Sequence, residues 1–225
     1  MPSGVMYKFF LKVFSLAVLL VVFSAVIDRP ENWVFDPKKL QEIAKRGIAH
    51  AQNKHGLNAT AHEVISAVVS HVLQEYPAYT QNTGHWILNN AGGAMGSMTV
   101  LHSSLSEYLI VFGTAVGTEG HTGRYPWAED YFTIIYGEQW AALPSATSAE
   151  VYRPGDQHFL PRRVAKQYRM PGPCFALEYA RGNIPSMLLF GFADLFTSTL
   201  DFVTFYDTVM GSAGQMIQNA LRWKI

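Results

Sequence analysis

Two stretches of the chain set a carboxyl group among apolar neighbours. The first is 127–137, WAEDYFTIIYG, where Glu129 and Asp130 sit within a run of strand formers closed by Gly137. Side chains alternate along a strand, so Asp130 shares a face with Phe132, Ile134 and Tyr136, and Glu129 with Tyr131, Thr133 and Ile135. The first face is the more apolar and is expected to point at a core or cavity. Ionisation is costly there, and a carboxyl group that keeps its proton near neutral pH can serve as an acid catalyst. The plain alternative leaves both acids in water at a strand entrance. The second stretch is 174–182, CFALEYARG, where Glu178 shares a face with Cys174, Ala176 and Ala180. Small neighbours leave room for a ligand; a surface pair with Arg181 is the competing expectation.

Other strands would position these acids. In 106–117, SEYLIVFGTAVG, Tyr108, Ile110 and Phe112 share one face and Glu107, Leu109 and Val111 the other. The two aromatics suit a pocket wall or a plain core. The run NNAGGAMGSM (89–98) lacks the G-x-G-x-x-G spacing and reads as a tight hairpin, and 120–123, GHTG, as a turn. Several short strands separated by Gly and Pro turns, with no helix between them, predict an all-β barrel or sandwich. Its histidines, His85, His102, His121 and His158, show neither H-x-H nor H-E-x-x-H spacing, so no metal is expected, and no G-x-S-x-G elbow supports a serine nucleophile. Arg162, Arg163 and Lys166 read as a solvated basic edge.

Helices flank this β region. Asp36-Pro37 opens one, with Leu40, Ile43, Ala44 and Ile48 as its apolar stripe to about Ala51. Thr60 and Glu63 form a capping box for a second, reaching Tyr76-Pro77. Neither carries evident chemistry. After Pro185, with Ser186 as cap, a nearly uncharged tail runs from Met187 and restarts at Thr199–Asp201. It is expected to lie flat on a membrane, ending with Trp223-Lys224 at the interface, packed on the barrel or not. At the N-terminus, Val13–Ile27 carries no charge and, counted from Phe9, is about long enough to span a bilayer. Ser24-Ala25-Val26 is a poor cleavage site, so a retained anchor is preferred to a signal peptide. Lys8 and Lys12 precede the span, which places the N-terminus in the cytosol and, in a eukaryotic cell, the remainder in the endoplasmic reticulum lumen. Asn58-Ala59-Thr60 is then a glycosylation sequon. The expected divisions are 1–34 for the cytosolic end and anchor, 35–80 helical, 81–185 barrel with cavity, and 186–225 membrane-associated helices.

Composition agrees with contact to lipid or an apolar ligand. Charged residues make up 15% of the 225, against ~25% in an ordinary soluble domain. Formal net charge is zero, which gives no electrostatic footprint for nucleic acid. The single cysteine, Cys174, excludes an internal disulfide and reads as a small buried side chain.

These residues resemble one family, the fungal C-8 sterol isomerases and their animal relative, the sigma-1 receptor. The resemblance is carried by NNAGGAMG (89–96), LHSSLSEYLIVFGTAVGTEGHTGRY (101–125), WAEDYFTIIYGEQWAALP (127–144), EVYRPG (150–155), FALEYARGNIPS (175–186) and FADLFTSTLDF (192–202). Within it, EDYFTIIYGEQWAALP follows the enzymes rather than the receptor. The resemblance implies a mainly β fold with α appendages: a cupin-like barrel behind one transmembrane helix, with two C-terminal membrane-associated helices closing its mouth, assembled as a homotrimer. It implies transfer of a sterol double bond from Δ8 to Δ7 (fecosterol to episterol) in ergosterol synthesis at the endoplasmic reticulum membrane, without cofactor or metal and inhibited by cationic amphiphilic amines. The alternative is a ligand-binding membrane chaperone without turnover. Glu178 matches the family's essential glutamate. The receptor's second pocket acid aligns with Phe132, a departure that leaves Asp130, on the same face, and Glu129 as candidate partners. Met98, Tyr108, Ile110, Phe112, Tyr125 and Ile184 match positions lining the receptor's pocket, where Phe132 also belongs.

Overall fold

The computed structural model describes residues 3–225. Helix α1, Ser3–Ile27, is apolar and long enough to cross a membrane over Met6–Ile27, and most of its side chains are exposed. Its last turn is tied to the rest of the molecule. Ile27 is buried, the Asn183 amide donates to Ser24 Oγ at 2.7 Å, and Arg162 grips the Asp28 carboxylate with two hydrogen bonds. Arg162 therefore holds the end of α1 to the barrel rather than decorating a solvated edge. Lys166 is likewise buried, with Nζ 2.6 Å from Glu150.

Ten strands build the barrel, all pairing antiparallel. The larger sheet runs β1 (Ile87–Ala91), β2 (Ala94–Ser103), β3 (Glu107–Thr114), β10 (Cys174–Gly182), β5 (Ala128–Tyr136) and β8 (Gln157–Leu160), in that spatial order. The smaller runs β4 (Thr118–His121), β9 (Gln167–Met170), β6 (Gln139–Ala142) and β7 (Glu150–Tyr152). The expected hairpin joins β1 to β2 through Gly92-Gly93. Gly92 has φ +64°, and a Cβ there would stand 2.2 Å from the His121 carbonyl oxygen, so only glycine fits. The segment before Thr122, read as a turn, is strand β4.

Both faces of the larger sheet are covered, which explains why so many of its strand residues are buried. Helix α2 (Pro37–His55) is capped by Asp36, and α3 (Ala61–Glu75) by the complete Thr60–Glu63 box. Leu40, Ile43, Ala44, Val64, Val68 and Val72 pack on Leu109, Val111, Ile135, Leu177 and Tyr179 from the outer face. Alternation then sends Tyr108, Ile110, Phe112, Phe132, Ile134, Ala176 and Ala180 to the inner face, where they form a separate cluster with Met98, Ile184 and Met187.

Helix α4 (Ile184–Asp194) begins earlier than the sequence pattern indicates. Asn183, not Ser186, is its N-cap, with Oδ1 accepting from the Ser186 amide at 3.1 Å. A short π-turn, Leu195–Thr199, leads to α5 (Phe202–Leu221), capped by Asp201. The faces of α5 are inverted relative to a water-facing helix. Thr204, Thr208, Ser212 and Gln215 are buried against the protein, while Phe202, Val203, Tyr206, Met210, Ile217 and Leu221 are exposed. The Tyr108 hydroxyl lies 3.1 Å from Ser212 Oγ and the Asn219 amide donates to Ser103 O, so α5 is also packed on the barrel. Lys224 does not snorkel at a surface. Its ammonium reaches the fully buried Glu107 at 2.7 Å, and Glu107 also accepts from the Val34 and Phe35 amides and the Tyr179 hydroxyl.

Candidate active site

Strand register brings the acids together. Glu178 on β10 lies opposite Ile110 on β3 and Phe132 on β5; two residues on, Ala180 lies opposite Tyr108 and Asp130. Asp130 and Glu178 are thus diagonal neighbours on the inner face, and Ala180 leaves Asp130 space to lean toward Glu178. Their carboxyl groups hydrogen-bond each other. Asp130 is 1% exposed and Glu178 9%.

Burial is the main cause that pushes both acids up, Asp130 to about 8 and Glu178 well above its usual range; the charge of Asp130 raises Glu178 as well, whereas the bond with Glu178 draws Asp130 down. The pair is not symmetric. The Tyr131 amide donates to Asp130 Oδ1 at 2.9 Å, which favours the ionised form of Asp130 alone. When the pair carries a single proton, that proton therefore resides on Glu178 and the charge on Asp130.

Glu129 takes no part in this pair. It lies on the outer face and accepts from Arg181 Nε at 2.6 Å and the Tyr131 hydroxyl at 2.9 Å. Arg181 is therefore Glu129's partner, not Glu178's as the surface alternative had it.

An internal void of about 60 Å³ borders both acids and is also lined by Phe112, Tyr125, Phe132, Tyr168 and Phe190. Of the pocket residues named from sequence, Phe112, Tyr125 and Phe132 line it. Met98, Tyr108, Ile110 and Ile184 form the apolar packing around it. Tyr168, His121, Thr122, Asn89 and Phe190 also line it and were not named as pocket residues from the sequence. Tyr168 sits on the four-residue strand β9, too short to show alternation. Phe190 belongs to a helix whose apolar run gives no sign that one ring turns inward to meet Tyr125 at 5.9 Å. The phenols of Tyr125 and Tyr168 are pushed far up by burial and by the two acids, so both rings stay neutral. A larger concavity, about 600 Å³ over β4, β9 and β6, contains neither acid. Among the described residues no group of three or more His, Cys, Asp or Glu side chains is placed to hold a metal ion.

Chemically, such a site offers an acid and a base in contact, neutral aromatic faces and little water. It suits a proton moved between nearby carbons of an apolar molecule through a cationic intermediate.

Comparison with known proteins narrows this. The C-8 sterol isomerase of Pyricularia oryzae is 47% identical over 219 residues, covering 92% of this chain and 94% of its own length. That of Neurospora crassa is 47% identical over 95% of this chain and 83% of its own. The sigma non-opioid intracellular receptor 1 of Gallus gallus is 36% identical over 84% of this chain and 85% of its own. Among solved structures, an RmlC-like cupin from Shewanella frigidimarina superposes with a TM-score of 0.38 and 15% identity, over 46% of this chain and 89% of that one. The family model described as ERG2 and Sigma1 receptor like protein matches residues 11–224. By that match and by relatives alike over most of their length, the chain belongs to the family of ERG2 and sigma-1 receptor like proteins.

Proposed function

We propose that this protein is a C-8 sterol isomerase that moves a double bond from C8=C9 to C7=C8, converting fecosterol to episterol. The observation that carries the reading is the buried Asp130–Glu178 pair on the wall of a small void ringed by aromatic side chains, in a chain 47% identical to an enzyme bearing that name. Glu178, holding the shared proton, protonates C9. The cation left at C8 faces one newly formed and one existing carboxylate and the rings of Tyr125 and Tyr168, each ring contributing about 1–2 kcal/mol. Asp130 then takes a proton from C7 and the double bond closes to C7=C8. A proton passing back along the carboxyl–carboxyl hydrogen bond resets the pair without solvent. No electrons change hands, so no redox group is needed.

The void is far smaller than the roughly 300–1,000 Å³ of a ligand pocket, so a sterol requires it to open. Phe190 and Tyr125 are the rings that must part. The exposed apolar face of α5 supports a helix lying on a membrane, and Lys8 and Lys12, near the start of α1, support a cytosolic N-terminus with the barrel in the endoplasmic reticulum lumen. Assembly as a trimer and inhibition by cationic amphiphilic amines, which would pair with the anionic acids, belong to the same proposal.

Complementation of a strain that accumulates Δ8 sterol tests it. Wild type and Glu129→Gln restore Δ7 sterol; Glu178→Gln and Asp130→Asn, present at wild-type abundance, do not. Equal restoration by Glu178→Gln would remove the acid from the scheme. A chain that restores nothing would favour the receptor-like reading.

A further inference from the structure

The inner face of the larger sheet carries a polar group that the chemistry above does not use. Register places Ile110, Glu178, Phe132 and His158 side by side across β3, β10, β5 and β8. His158 is 1% exposed, and neither ring nitrogen has a hydrogen-bond partner. It packs between two rings, 4.8 Å from Tyr152 and 6.2 Å from Phe132. Gln139, also 1% exposed with an unpartnered Oε1, faces Tyr152 across the β6–β7 ladder. Two orphaned polar side chains thus border the same tyrosine. The Tyr152 hydroxyl itself is engaged by Glu150 and so satisfies neither. Buried polar atoms normally find partners, and two that fail to do so around one tyrosine, with His158 directly behind the Phe132 ring that lines the void, point to a polar guest.

We propose that the imidazole of His158, backed by Gln139, receives the 3-hydroxyl of the sterol, and that docking it there sets C8 and C9 at the Asp130–Glu178 pair. The inference rests on the sterol isomerase reading above. Phe132 both lines the void and packs on His158, so its movement extends the cavity to the imidazole as the void opens.

The dimensions agree. His158 stands two strand spacings from Glu178, about 10 Å along the sheet. The 3-hydroxyl oxygen is five bonds from C9, roughly 6 Å in the fused ring system. A hydrogen bond of about 3 Å at one end and a proton-transfer contact of similar length at the other bring the required span to about 12 Å, within about 2 Å of that separation. The chemistry agrees as well. A neutral imidazole offers one donor and one acceptor, and a hydroxyl can use either. Burial pushes the His158 ring down to about 4, so it is neutral at neutral pH. A rigid tetracyclic substrate otherwise has few means of choosing its orientation in an apolar barrel.

Kinetics of the full chain in lipid nanodiscs, comparing a Δ8 sterol with its 3-deoxy counterpart, test the proposal. Wild type is expected to favour the hydroxyl-bearing sterol in kcat/KM by about 10–100-fold. His158→Phe abolishes the preference by slowing the hydroxyl substrate alone, His158→Asn restores part of it, and Gln139→Leu reduces it. No preference in wild type overturns the proposal, and so does His158→Phe slowing both substrates alike. If His158→Phe does not fold, an unchanged preference in both His158→Asn and Gln139→Leu overturns it. Wild type converting neither sterol would instead sink the isomerase reading, a distinguishable result.

Discussion

At the residue scale, the Asp130–Glu178 pair costs the fold stability. Asp130 ionises near 3.8 in an unfolded chain and near 8 in the folded one. Between those values the folded protein holds a proton the unfolded one has released. The pair's contribution is therefore full below about 4 and lost as pH rises through about 8. Asp130→Asn keeps the acceptor for the Tyr131 amide and removes the titration. It should flatten the fall of stability across that window and raise Tm by about 2–4 °C at pH 8, while abolishing turnover. Thermal unfolding at several pH values checks this; an unaltered pH slope would mean that the carboxyl is not held neutral by the fold. Alternation alone put Asp130 on the apolar face and left room beside Glu178. That the two acids meet was expected only from the family resemblance, not from local pattern, because it depends on which strands pair and in what register. The Glu129–Arg181 and Lys166–Glu150 pairs were missed for the same reason: they join residues 52 and 16 positions apart.

At the element scale, α5 is the informative helix. Its apolar residues were plain in the sequence, but which of its faces turns to protein was not. A solvated helix hides its apolar stripe; α5 instead buries Thr204, Thr208 and Ser212 and presents Val203, Tyr206 and Met210 outward. A polarity-sensitive fluorophore on Val203→Cys, with the buried Cys174 replaced by Ala, should shift to the blue when the chain is moved from detergent-free amphipol into bilayers. A probe at exposed Lys54 should not. Equal response at the two positions would contradict a lipid-facing α5. The starts of α2 and α3 were legible to the residue, since Asp36-Pro37 and Thr60–Glu63 are local capping signals that tertiary context did not override; α2 runs one turn beyond the expected Ala51, to His55. The start of α4 was not: Asn183 outcompetes Ser186 because its side chain serves both as cap and as a partner for Ser24 of α1.

At the scale of the whole molecule, one sheet is used twice. Its outer face is sealed by α2 and α3, and its inner face holds the acids in the dark of the barrel. Buried ties then fix the remaining parts to it. Arg162 and Asn183 hold the end of α1, while Glu107 gathers the 34–35 backbone, Tyr179 and Lys224 at one point. Turn-rich strands predicted a barrel or sandwich, and the family resemblance chose the barrel; the Glu107 ties span more than 70 residues and leave no mark in local pattern. On the proposed reading, this arrangement supplies a sheltered chamber in which one proton is given and one is taken back. A single turnover of a Δ8 sterol by the full chain pre-equilibrated in D2O tests this most directly. The Asp130–Glu178 account predicts a Δ7 product carrying one deuterium at C9, and no product from Glu178→Gln. A Δ7 product without deuterium at C9, or deuterated product formed at the wild-type rate by Glu178→Gln, would contradict it.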